Sequence, residues 1–89
     1  MLDTANENMT VGNIAIRIIE KTAGMKGLTQ DALASKLGIV RQTVAARFRK
    51  QEMMLDDFID TAQAIGTDPA QVIADAMQIK NTALAGKEE

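Results

Sequence analysis

An all-helical fold, with a close pair of short helices at its centre, is expected from three observations. The 89-residue chain holds one proline and, as its whole aromatic content, two phenylalanines. Its core must therefore come from Ile, Val, Leu, Met and Ala, a set that favours helices. Apolar residues recur at i, i+3 and i+4 in five separate stretches, which is the spacing of one face of a helix. Glycines or an Asp-Pro pair punctuate those stretches where helices stop and start. At 46% apolar residues there is material for one core, and a chain of this size folds as a single domain. The expected layout is a flexible arm over 1–9, a five-helix domain over 10–79 and a polar tail over 80–89.

Thr10 is a suitable N-cap for the first helix. Val11, Ile14, Ile18 and Thr22 follow on one line, with Ala15, Ile19 and Ala23 beside it. Ile16 falls off that line and is either exposed or part of a wider buried face. The helix is expected to end near Ala23, with Gly24 and Gly27 suited to positive φ. Thr29 caps a second helix over about 30–37, with Leu33, Ala34 and Leu37 inward. Gly38 ends it in a left-handed conformation that a Cβ would penalise, and Ile39 fills the corner. The third helix spans about 41–50 and is anchored by Val44 and Phe48. A fourth, near 55–65, buries Leu55, Phe58, Ile59, Ala62 and Ile65 before Gly66 stops it. Asp68 as N-cap and Pro69 as the first helical residue open the fifth, which is expected to reach Ile79.

Composition excludes several classes of function. The chain has no cysteine and no histidine. A disulfide framework and a thiolate metal site are thereby removed, and so is the commonest general base. No Gly-rich phosphate loop or evident carboxylate pair replaces them, so neither an enzyme, a cofactor, a metal nor a small-molecule substrate is expected. Asp56, Asp57 and Asp60 fit an exposed helix face and first-turn charges better than a metal site. No apolar run has the length of a membrane span. The opening ten residues lack the basic and apolar regions of a secretory leader, so a cytoplasmic location is expected.

Charge is divided sharply. From Ala32 to Gln51 the charged residues are Lys36, Arg41, Arg47, Arg49 and Lys50, without one acid. From Glu52 to Ile79 they are Glu52, Asp56, Asp57, Asp60, Asp68 and Asp75, without one base. The net charge of −2 is therefore a poor guide to the local field, because salt screens charges beyond roughly 8–10 Å. Two helices joined by a tight turn, the second of them cationic, suit a reader of the DNA major groove.

The run TQDALASKLGIVRQTV over residues 29–44 resembles the helix-turn-helix of the phage-repressor (Cro/repressor, XRE-like) family. Leu28-Thr29-Gln30 is similar to the family's L-[ST]-Q opening, and Leu33-Ala34 with Leu37-Gly38 to its L-A-x-x-x-G signature. Arg41-Gln42-Thr43-Val44 looks like the start of its recognition helix. Leu55 to Phe58, Ala62, Ile65-Gly66 and Asp68-Pro69 to Ile73 resemble the two following helices, so the likeness covers roughly residues 11 to 77. Its physical logic is clear: Ala34 is small where the third helix crosses, and Leu33, Leu37, Ile39 and Val44 fix the helix pair at one angle. There are three departures. Val40 stands where the family often has a capping Ser or Thr, Arg47 where it is often apolar, and Lys50 near where it often has a turn glycine.

The resemblance implies a compact five-helix domain of the lambda-repressor-like DNA-binding type, with its helix-turn-helix at about 30–50. It also implies a transcriptional regulator, a repressor, acting on a double-stranded DNA operator. Arg41 and Gln42 would read bases, Arg at guanine and Gln at adenine. Thr43 and Ala46 are short enough for close approach and could meet a thymine methyl. Gln30 would contact the DNA backbone and brace the recognition helix. Arg47, Arg49, Lys50 and Lys36 would meet phosphates. One domain reads only a short half-site, so a homodimer is expected, with Val72, Ile73, Ala76, Met77 and Ile79 as its surface. The rival reading is a protein-interaction module, such as an antitoxin or adaptor, whose surface is the acidic fourth and fifth helices.

Overall fold

The computed structural model describes residues 8–88, and the side chains as far as residue 83. It contains five helices: α1 (Val11–Met25), α2 (Gln30–Leu37), α3 (Arg41–Lys50), α4 (Leu55–Ile65) and α5 (Pro69–Glu88). No strand occurs among the described residues. Most of the expected arm, residues 1–7, lies outside them. Met9 packs against the core, and its carbonyl accepts a hydrogen bond from Lys80.

The starts of α1, α2 and α5 follow the capping chemistry of the sequence, while Val40 and Met54 precede α3 and α4 without a side-chain cap. Thr10 Oγ1 accepts from the Asn13 amide at 3.0 Å, and Asn13 Oδ1 accepts from the Thr10 amide at 3.1 Å. This reciprocal pair satisfies two amides at the open end of α1. Thr29 Oγ1 likewise accepts from Ala32 N, and Asp68 Oδ1 from Ala70 N. The stops are equally local. Gly38 (φ 70°) and Gly66 (φ 87°) take the left-handed conformation that ends α2 and α4. Lys26, beyond the end of α1, donates to the carbonyls of Ile65 and Gly66 at 2.9 and 3.2 Å. A cation thus meets the negative end of the α4 dipole.

α1 forms the spine. It packs most extensively on α5 and also meets α4 and α3. Because neighbours enclose it on several sides, burial spreads around it. Ile14, Ala15, Ile16, Ile19 and Ala23 are all buried, so the face centres on Ile19 and includes Ile16, while Ile18 and Thr22 are half-buried. The helix also runs through Gly24 to Met25, and of the two expected glycines only Gly27 has positive φ.

Leu33 and Ala34 of α2, Val44 and Phe48 of α3, Phe58, Ala62 and Ile65 of α4, and Val72 and Ala76 of α5 complete the core. Thr61 joins them by donating its hydroxyl to the Asp57 carbonyl at 2.7 Å, so burial leaves it no unpaired polar atom. Leu55 departs from expectation at 63% exposed. It sits at the first position of α4, on the same face as Phe58, Ala62 and Ile65, but lines the rim of a shallow apolar depression with Val11, Met53 and Ile73 instead of entering the core. α5 departs as well. It continues past Ile79 to Glu88, so the backbone of the expected tail is helical.

The α3–α4 connection is built on Gln51, a non-glycine residue at φ 57°. Its carbonyl accepts from Asn13 Nδ2 at 2.9 Å, tying the loop to the start of α1. Left-handed backbone penalises a Cβ by about 1–2 kcal/mol, and glycine returns part of that gain as unfolded-state entropy. Gln51→Gly, which keeps the carbonyl, is therefore expected to raise stability by about 0.5–1 kcal/mol. The check is a higher urea midpoint at unchanged m-value.

Candidate nucleic-acid interface

The α2–α3 pair is placed by its own apolar residues. Leu33 and Ala34 on α2 meet Val44 and Phe48 on α3 in the common core, and Ile39 packs against it from the turn between them. α3 is held chiefly by α2 and more lightly by α1. Its remaining circumference faces outward.

With about 100° of turn per residue, Val44 and Phe48 fix the inward direction. Gln42, Ala46, Arg49 and Lys50 then share the opposite side. Gln42, Arg49 and Lys50 are exposed, and Thr43 and Ala46 are half-buried beside them. Gln42, Thr43, Ala46 and Lys50 line a shallow depression that Met53 and Met54 close from the α3–α4 loop. None of Gln42, Arg49 and Lys50 has a side-chain hydrogen bond or ion pair with another described residue.

Arg47 lies at the flank of that face, whereas Arg41, three residues before Val44, opens α3 on the side of α2. Arg41 Nε lies 3.6 Å from Asp31 Oδ1 of α2, with both side chains exposed. Exposed pairs of this kind are worth about 0–1 kcal/mol, so Arg41 remains available to a stronger acceptor. Arg47 is different. Its side chain is 23% exposed and a terminal guanidinium nitrogen stands 3.3 Å from Asp57 Oδ2 of α4. The stem packs as expected, but the head turns to an acid of the neighbouring helix. The reason is that position 47 lies on the side of α3 facing α4, where Asp57 occupies the first turn.

Lys36 is exposed near the end of α2. Gln30 is half-buried at the start of α2, and among the described residues no hydrogen bond joins its side chain to α3, so the expected brace is not formed. Val40 precedes α3 without any side-chain cap hydrogen bond. Lys36, Arg49 and Lys50 therefore have no acidic partner among the described residues, while Arg41 and Arg47 each carry one.

The five apolar residues of α5 are unequal. Val72 (3% exposed) and Ala76 (0%) are consumed by the domain's own core and cannot also face a partner. Ile73 and Ile79 pack partly against that core, and Met77 is 51% exposed. Of these five, Met77 with the outer parts of Ile73 and Ile79 is what remains for a contact through α5.

Among the described residues no group of three or more acidic side chains is arranged to hold a metal ion, and no helix is long and apolar enough to cross a membrane. Comparison with protein families, curated proteins and solved structures finds no match for this chain.

Proposed function

We propose that this chain is a sequence-specific DNA-binding transcriptional regulator, a repressor, that presents α3 to the major groove as a lambda-repressor-like helix-turn-helix. The observation that carries this reading is the outward face of α3. Gln42, Arg49 and Lys50 project from it without partners among the described residues, on a helix attached to the body through its opposite side. In this reading Gln42 and Arg41 meet base edges, and Thr43 and Ala46 allow close approach. Arg49, Lys50 and Lys36 meet phosphates, and Gln30 opens a helix whose first amides can face the backbone. Arg47 takes a supporting place, with its charge shared with Asp57.

A single α3 spans only a few base pairs, so useful specificity calls for two copies on half-sites about one helical turn apart. Selection of bound sequences from a random duplex pool tests the reading. The expected product is a two-fold symmetric consensus whose half-site holds guanine and adenine in contact range of Arg41 and Gln42. Recovery of no consensus would contradict it. The rival reading, a protein-interaction module using the acidic α4 and α5, predicts that second outcome.

A further inference from the structure

The residue that opens α3 breaks a rule that α1 and α2 obey, as Met54 before α4 also does. Thr10 and Thr29 precede α1 and α2 with φ/ψ of −79°/163° and −80°/165°, and each caps its helix with a side-chain hydrogen bond. Val40 has nearly the same backbone, −84°/153°, and caps nothing. Threonine has the shape and β-branching of valine, so backbone preference does not explain the choice. Packing does not explain it either. Val40 is 62% exposed, among the most exposed large apolar side chains of the domain, whereas its neighbour Ile39 is packed against the core. The position forgoes a cap and leaves an apolar branched side chain in water. Local rules broken without a gain in the folded state are a mark of function.

The surroundings narrow what Val40 could meet. It adjoins Arg41 and Gln42, and Lys36 stands in the last turn of the preceding helix, so a polyanion suits this end of α3 better than an apolar protein surface. On the floor of the major groove the apolar group on display is the C5-methyl of thymine. We propose that Val40 is a specificity-determining residue that reads a thymine methyl at the edge of the half-site. This rests on the DNA-binding reading above and adds to it a base and the group on that base that is recognised.

The test replaces each thymine of the selected duplex in turn with deoxyuridine, which lacks only that methyl, and measures binding by the wild type, Val40→Ala and Val40→Ser. One position per half-site is expected to cost the wild type about fourfold in affinity, the worth of one buried methylene-sized group. Both variants should bind the thymine duplex about fourfold more weakly and lose discrimination at that position alone. Val40→Ser, which regains a cap, should also melt higher by roughly 4–8 °C, so weaker binding cannot be laid to misfolding. Sequence-selective binding with thymine discrimination unchanged in both variants would overturn the assignment of Val40 and leave DNA binding intact. Failure of the wild type to bind any duplex would overturn both.

Discussion

Leu33→Ala is expected to lower the free energy of unfolding by about 2–5 kcal/mol, the range for truncating a buried leucine. Leu33 is 1% exposed and among the largest fully buried side chains. It lies on α2, the helix that packs on both α3 and α4. Removing three carbons there leaves a cavity that rigid neighbours close only in part. Domains of this size have about 5–15 kcal/mol in total, so the loss is a large share of the whole. It also removes a contact that sets the angle of α3, so any DNA affinity should fall with the fraction folded and beyond it. Urea unfolding gives the first number, with a lower midpoint at constant m-value. Met25→Ala, at a side chain 83% exposed, serves as the control and should stay within about 0.5 kcal/mol of wild type.

Gln42→Ala and Arg41→Ala are each expected to weaken binding to the preferred sequence by about 1–3 kcal/mol and to relax the choice of one base. Arg49→Ala is expected to weaken all sequences alike and to lower the salt slope by about 1. The two classes differ for a structural reason. Gln42 lies on the outward line of α3 with no partner to give up. Arg41 must first leave Asp31, which subtracts no more than about 1 kcal/mol from its net effect. Arg49 is a charge near the end of the helix and, in the proposed docking, lies toward the backbone rather than the base edges. Affinities of the three variants for the selected duplex and for a scrambled one separate the classes. An equal loss on both duplexes for Gln42→Ala would remove it from the set of base readers.

Much of the fold was legible because short-range chemistry decides it. Glycines and threonines set the ends of α2, and Gly38 and Gly66 appear at positive φ where a Cβ would be strained. Val44 and Phe48, at i and i+4, are buried as their spacing implies. The less legible features depend on what stands opposite. Ile16 is buried because several helices enclose α1, and Leu55, at the first position of α4, stays at the rim of the core. Asn81, Thr82 and Gly86, weak helix formers, hid the continuation of α5 to Glu88. Thr61 carried no signal in its composition; its burial depends on a hydroxyl bond back to Asp57.

The candidate site was legible to a similar degree. A cationic helix could be read from residue types alone, but the pairings of Arg41 with Asp31 and Arg47 with Asp57 could not. Those acids come from other helices, and the cationic run over residues 32–51 contains none. The outward set is thereby centred on Gln42, Ala46, Arg49 and Lys50, with Arg47 at its border and Arg41 at the helix start on the side of α2.

The most direct test of the claim that α3 faces duplex DNA is the salt dependence of binding by the intact chain. Lys36, Arg49 and Lys50 neutralising three phosphates per protomer predict a slope of log K against log salt of about −3 per protomer. The account predicts that steep, linear decline, and its collapse toward zero when all three are replaced by alanine. Affinity for duplex DNA no better than millimolar at low salt, or a slope untouched by the triple replacement, would contradict it.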